Sequence, residues 1–118
     1  MTNSAELSIL LVDDEAAWLH GLSLALERSL PDCSITTCND SRLVLQTLQQ
    51  TRVDLILLDI TMPYLSGDEL LPLLVEAHPE IPVIILTGIN QIELSVRCMK
   101  SGAFDFFVKS VEQQQLIA

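Results

Sequence analysis

The sequence predicts an α/β domain built on a parallel sheet, and three observations carry that prediction. Short apolar runs alternate with longer stretches of helical period, the pattern of successive strand–helix units. Two of those runs end in acidic residues: Ile9-Leu10-Leu11-Val12 is followed by Asp13-Asp14, and Leu55-Ile56-Leu57-Leu58 by Asp59. The hydrophobic fraction of 49% and mean hydropathy of +0.41 suit a sheet covered on both faces. The 118 residues, 1–118, read as one domain.

Strand one is read from Ser8 to Val12 and helix one from about Glu15 to Leu30, with Leu19, Leu22, Leu26 and Leu30 at helical spacing before Pro31-Asp32 ends it. Strand two, Ser34 to Cys38, is polar and Thr-rich, which suits a sheet edge. Asp40 or Ser41 caps helix two, which ends before Arg52. Strand three, Val53 to Leu58, leads through Asp59 into a loop containing Met62-Pro63 and closed by Gly67. Helix three, about Asp68 to Ala77, holds Pro72, which removes one backbone hydrogen bond and is expected to kink or delay it. Strand four, Ile81 to Leu86, is a continuous aliphatic run and reads as central. Asn90 with Glu93 is expected to form a capping box for helix four, which stops at Gly102. Strand five, Phe104 to Val108, ends in Lys109. After Ser110 only about two helical turns of chain remain, so the last helix is read as incomplete and the molecule as continuing beyond Ala118.

The net charge of −10, with six Lys and Arg in all, argues against direct binding of nucleic acid, whose affinity comes from clustered cations. No apolar run approaches the roughly 20 residues that span a bilayer. Met1 to Glu6 is polar and lacks the pattern of a secretory signal, so a cytoplasmic location is expected. Cys33, Cys38 and Cys98 show neither a CxxC pair nor metal spacing with His20 or His78, and read as small core side chains in a reducing compartment.

Four strands end in polar residues: Asp13-Asp14, Asp59, Thr87 and Lys109. Each alone has an ordinary explanation, Asp14 as a helix cap, Asp59 and Thr87 as turn formers, Lys109 as a surface charge. Parallel neighbouring strands would bring all of them to one edge, where open α/β sheets place their chemistry. Three ionised carboxylates at roughly 5 Å and an effective dielectric near 20 repel by about 10 kcal/mol in sum, which calls for a cation such as a divalent metal. Hard oxygen ligands, a carboxylate nucleophile, a hydroxyl and an ammonium together form the parts list for phosphoryl transfer to a carboxylate.

With those residues, and with Leu57-Leu58-Asp59-Ile60-Thr61-Met62-Pro63, Gly67, Thr87-Gly88 and Ser101-Gly102-Ala103-Phe104-Asp105-Phe106-Phe107-Val108-Lys109, the chain resembles the receiver domain of two-component response regulators along its whole length. The resemblance implies a flavodoxin-like, doubly wound (βα)5 three-layer sandwich with a five-stranded parallel sheet in the order 2-1-3-4-5. It implies that Asp59 accepts a phosphoryl group from a sensor histidine kinase, a phosphotransfer protein or a small donor such as acetyl phosphate. Mg²⁺ would be held by Asp13, Asp14, Asp59 and the backbone carbonyl of Thr61, with Asp13 acting through water, and Lys109 would pair with the phosphoryl group. Thr87 and Phe106 would be the switch, relaying the change to a face made by helix four, strand five and helix five, a candidate homodimer surface. Gly102-Ala103-Phe104-Asp105-Phe106 resembles regulators of transcription. Ile89, Asn90, Ile92 and Glu93 are candidates for partner contacts.

One departure bears on the site: the family's usual Lys-Pro with a cis bond is Lys109-Ser110 here, and a cis bond before a non-proline costs about 2.5–4 kcal/mol. The site is expected to work with either geometry, and a Lys109 ammonium too far to reach a phosphoryl mimic on Asp59 would overturn that. Two rival readings stand beside the signalling switch. One is a haloacid-dehalogenase-like phosphatase fragment, suggested by Asp59-Ile60-Thr61 but giving no role to Asp13-Asp14. The other is a degenerate receiver that only binds partners.

Overall fold

The computed structural model describes residues 7–109. Its strands are β1 (Leu7–Val12), β2 (Cys33–Cys38), β3 (Leu55–Asp59), β4 (Val83–Thr87) and β5 (Asp105–Val108), and its helices α1 (Ala16–Ser29), α2 (Val44–Gln50), α3 (Gly67–Ala77) and α4 (Ile92–Lys100). The strands form one parallel sheet in the order β2-β1-β3-β4-β5, the flavodoxin-like order. The Thr-rich β2 stands at an edge, as its composition predicts, and the aliphatic β4 stands inside. The expected fifth helix, the Lys109–Ser110 bond and the end of the chain lie outside the described residues.

Strand alternation sends successive side chains to opposite faces, and both faces are covered. On one, Leu10, Val12, Ile56, Leu58, Val83 and Ile85 pack with α2, α3 and α4 through Val44, Leu48, Leu70, Leu71, Leu74 and Cys98. On the other, Ile9, Leu11, Leu57 and Leu86 pack against Trp18 and Leu19 of α1. Each aliphatic side chain so buried contributes about 1.5–3 kcal/mol against exposure. The register then aligns the carboxyl ends: Val12 lies opposite Leu58, Asp59 opposite Leu86, and Thr87 opposite Val108. The polar residues that end β1, β3, β4 and β5 are therefore brought to one edge by the same pairing that builds the core.

Element boundaries differ from the sequence reading where a local group intervenes. β4 begins at Val83, two residues later than read, after Pro82, which has no N–H to give to a ladder. Asp40 is the cap before α2, its carboxylate accepting from Arg42 N, and a short 3-10 turn, Ser41–Leu43, precedes the helix. The expected box of Asn90 and Glu93 does not form. A second 3-10 turn, Ile89–Gln91, follows Gly88, and α4 starts only at Ile92, without a side-chain cap. The Gln91 carbonyl is already engaged, accepting from the hydroxyls of Thr87 and Ser95.

A reciprocal cap is found instead before α3, where Glu69 accepts from both the backbone N–H (3.0 Å) and the hydroxyl (2.9 Å) of Ser66. Its Ser-x-x-Glu pattern was available in the sequence. α3 runs through Pro72, held by Leu70, Leu71 and Leu74, each 1% exposed or less.

Candidate functional site

The site is assembled from strand ends and the loops that leave them. Asp13 follows β1 and is fully buried; its Oδ1 accepts from Glu15 N at 3.0 Å, which orients the carboxylate and opens α1. Glu15, not Asp14, is the residue before the helix, and Asp14 makes no cap; it is exposed beside Asp13. Asp59 ends β3 and is 5% exposed. Asp13, Asp14 and Asp59 each bring one oxygen into a group lying within 4.8 Å of one another. Oxygens on an octahedral Mg²⁺ stand at most about 4.2 Å apart, so this set of hard donors is already close to the size a divalent ion requires.

Lys109, directly after β5, reaches the same point. Its Nζ stands 2.6 Å from Asp13 Oδ2 and 3.1 Å from Asp59 Oδ1, with its side chain 6% exposed. The ammonium thus stands within ion-pair distance of the Asp59 carboxylate to which a phosphoryl mimic would attach. Its backbone N–H donates to Thr87 O at 2.7 Å, tying the lysine to the end of β4. The charge clustering that called for a cation thus finds a first one within the chain.

Burial is the main reason the Asp59 carboxyl is pushed up to about 7; the neighbouring Asp13 adds to it, Lys109 opposes it and Asp14 contributes least. For Lys109, burial pulls the ammonium down, but the bond to Asp13 and the field of Asp59 outweigh it and raise the group overall. A carboxylate poised near neutrality, with an ammonium against one oxygen, can act as a nucleophile once its charge is matched.

Thr87 is fully buried, and its hydroxyl donates within its own loop, to Gly88 O at 3.1 Å and Gln91 O at 3.4 Å. Phe106 lies opposite Ile85 in the β4–β5 pairing and packs half-buried against the α2, α3 and α4 side of the core. It thus shares a sheet face with Thr87. Thr61 is exposed in the loop after β3. That loop is held at two points: Gln91 Nε2 donates to Thr61 Oγ1, and buried Ser41 donates to Pro63 O (3.0 Å) while accepting from Leu65 N (3.1 Å).

Every site residue singled out from the sequence except Phe106 comes from a strand end or the loop after β3. Three contributors were missed. Ser41 had been weighed only as a cap, Gln91 carried no signal of its own, and Trp18, whose ring lies 4.3 Å from Lys109 Nζ, was not singled out. Its spacing from Leu22 and Leu26 puts Trp18 on the buried stripe of α1 and was the available clue.

Known proteins of the same build bear on this geometry. The chain is 32% identical over 115 residues to the response regulator protein TmoT of Ectopseudomonas mendocina, which covers 98% of this chain and 51% of that one. It is 32% identical to the transcriptional regulatory protein FixJ of Bradyrhizobium diazoefficiens, covering 93% of this chain and 53% of that one. The chain thus spans about half the length of these curated relatives. Among solved structures, a receiver domain protein from Clostridium thermocellum superposes with TM-score 0.80 at 32% identity, covering 94% and 88% of the two chains. The phosphorylated cyanobacterial phytochrome response regulator RcpA superposes with TM-score 0.84 at 26% identity, covering 96% and 87%. These findings give no support to the phosphatase alternative. The family description that matches residues 9–118 agrees with the strand order and with the acidic edge, and the chain belongs to the response regulator receiver domain family.

Proposed function

We propose that Asp59 is the phosphoacceptor of a signalling switch, and that the chain catalyses only its own phosphorylation and dephosphorylation. The observation that carries this reading is the placement of the Lys109 ammonium 3.1 Å from a buried Asp59 carboxylate that shares its site with Asp13 and Asp14. Asp59 Oδ attacks the phosphorus of a sensor kinase's phosphohistidine, of a phosphotransfer protein or of acetyl phosphate. The P–N or P–O bond of the donor breaks, and its electron pair leaves with the donor. Asp13, Asp14, Asp59 and the Thr61 carbonyl would hold Mg²⁺, with Asp13 acting through water. The bound ion would neutralise the charge of the transferring group. Lys109 pairs with a phosphoryl oxygen and stabilises the product.

The added group brings nearly two charges and three acceptors. The Thr87 hydroxyl, now spent within its loop, turns to one of those acceptors, and Phe106 moves into the space vacated. This changes the face that carries the exposed Ile89, Ile92, Val96, Met99 and Phe104 around α4 and β5. That face is the proposed surface for a kinase, an effector domain or a second copy. The greater length of the curated relatives supports an effector beyond this domain, and the name of FixJ suggests transcription as its output. A cytoplasmic location fits the three free cysteines, Cys33, Cys38 and Cys98. No described helix is long and apolar enough to cross a membrane.

The test is intact-mass measurement after incubation with acetyl phosphate and Mg²⁺. One phosphoryl adduct is expected on the wild-type chain and none on Asp59→Asn. An adduct on both proteins, or on neither, overturns the assignment and in the second case favours a receiver that only binds partners.

A further inference from the structure

We infer that Trp18 is a positioning residue for Lys109, its indole face holding the ammonium over the acceptor carboxylate. The inference rests on the reading of Asp59 as phosphoacceptor. Trp18 is the chain's single tryptophan, lies in the first turn of α1 and is 7% exposed. Lys109 Nζ sits 4.3 Å from its ring centroid while standing 2.6 Å from Asp13 Oδ2 and 3.1 Å from Asp59 Oδ1. The ring contact and the site contacts are therefore made by one lysine conformation.

Two further observations set this apart from plain core filling. The indole Nε1 is buried and finds no hydrogen-bond partner among the described residues. A buried donor left unpaired needs a reason, and here the ring is oriented so that its face meets the cation at the expense of its N–H. The cavity that Trp18 and Lys109 line is otherwise walled by Leu22, Leu26, Leu57, Leu86, Phe107 and Val108, an apolar setting that strengthens a cation–π contact.

The chain has a use for such a support. Lysine is a point charge on a flexible four-carbon stem, and here it follows a four-residue edge strand. The next residue, Ser110, cannot fix the backbone as a proline ring would. The bond from the Lys109 backbone N–H to Thr87 O holds the root of the side chain, and Trp18 restrains its free end.

The test is a double-mutant cycle on the full chain with Trp18→Leu, Trp18→Phe and Lys109→Met, read as beryllofluoride affinity by calorimetry at saturating Mg²⁺, with urea midpoints for every variant. Trp18→Leu, which keeps apolar volume but no π face, is expected to weaken binding roughly five- to tenfold, and Trp18→Phe less. In the Lys109→Met background the same Leu substitution is expected to change affinity by less than about twofold. Unchanged affinity in Trp18→Leu, or an equal loss with and without Lys109, overturns the inference and leaves Trp18 a packing residue whose loss shows only in the urea midpoint.

A second readout is independent of phosphoryl chemistry. In metal-free protein Lys109→Met is expected to shift Trp18 emission, and an unchanged spectrum also overturns the inference. If no variant, wild type included, binds beryllofluoride, the acceptor reading fails, while the emission shift still decides the Trp18–Lys109 contact.

Discussion

Asp59 shows how a single residue carries opposing demands. In its proposed roles as nucleophile and metal ligand it must be ionised, yet burial and Asp13 push its carboxyl up to about 7, against about 3.9 for an unfolded aspartate. The folded chain therefore holds the Asp59 proton more tightly than the unfolded chain does. Stability linked to that proton is fully present below about pH 4 and is lost as pH rises through about 7. Asp59→Asn removes the dependence, so in metal-free urea titrations the variant is expected to gain on the wild type by about 1–4 kcal/mol between pH 4 and 8. A constant difference across that range would show that Asp59 is not held protonated by its surroundings. At this scale Asp13, Asp14, Asp59, Thr87 and Lys109 were legible in the sequence because each directly follows or ends an apolar run. The partnership of Trp18 with Lys109 was not, since it depends on how closely α1 approaches the end of β5.

At the scale of elements, the joint between β3 and α3 decides whether Asp59 is placed correctly. Gly67 opens α3 against the end of β3: a Cβ there would lie 2.5 Å from Asp59 O and 2.7 Å from Ile60 Cα. Both are backbone atoms that cannot yield without moving Asp59. Gly67→Ala is expected to cost about 1–3 kcal/mol in urea unfolding and to slow adduct formation from acetyl phosphate. Gly88→Ala is the contrast. Its Cβ would meet the ends of two side chains, the Asn90 oxygen at 3.1 Å and the Gln91 oxygen at 3.8 Å, so its stability is expected to stay within about 0.5 kcal/mol of wild type. Equal losses in the two variants would refute the close-approach argument. The helix-four boundary was misread because a local Asn-x-x-Glu pattern competed with another local arrangement. A 3-10 turn, Ile89–Gln91, leads into α4, and the hydroxyls of Thr87 and Ser95, each four residues away, donate to the Gln91 carbonyl.

Across the whole molecule, the acidic edge is a stored repulsion that any bound divalent ion relieves, so ligand binding and folding are linked. Mg²⁺ is expected to raise the unfolding temperature of the wild-type chain, by more at pH 8 than at pH 6, because Asp59, with its carboxyl near 7, is a better ligand once deprotonated. At a concentration one hundred times the dissociation constant the gain is about 2.7 kcal/mol. Asp13→Asn is expected to lose most of it, and an Mg²⁺ effect that is equal at the two pH values would argue against Asp59 as a ligand. The sequence by itself determined the order of the elements, the two-sided core and which polar residues end which strands. Those follow from local periodicity and from the identity of neighbours along the chain. Only the tertiary structure decided that Lys109 stands between Asp13 and Asp59, that Ser41 and Gln91 brace the loop after β3, and that an indole face backs the ammonium. Such contacts join residues far apart in sequence, and their distances are set by how helices pack across the sheet, which no local pattern encodes.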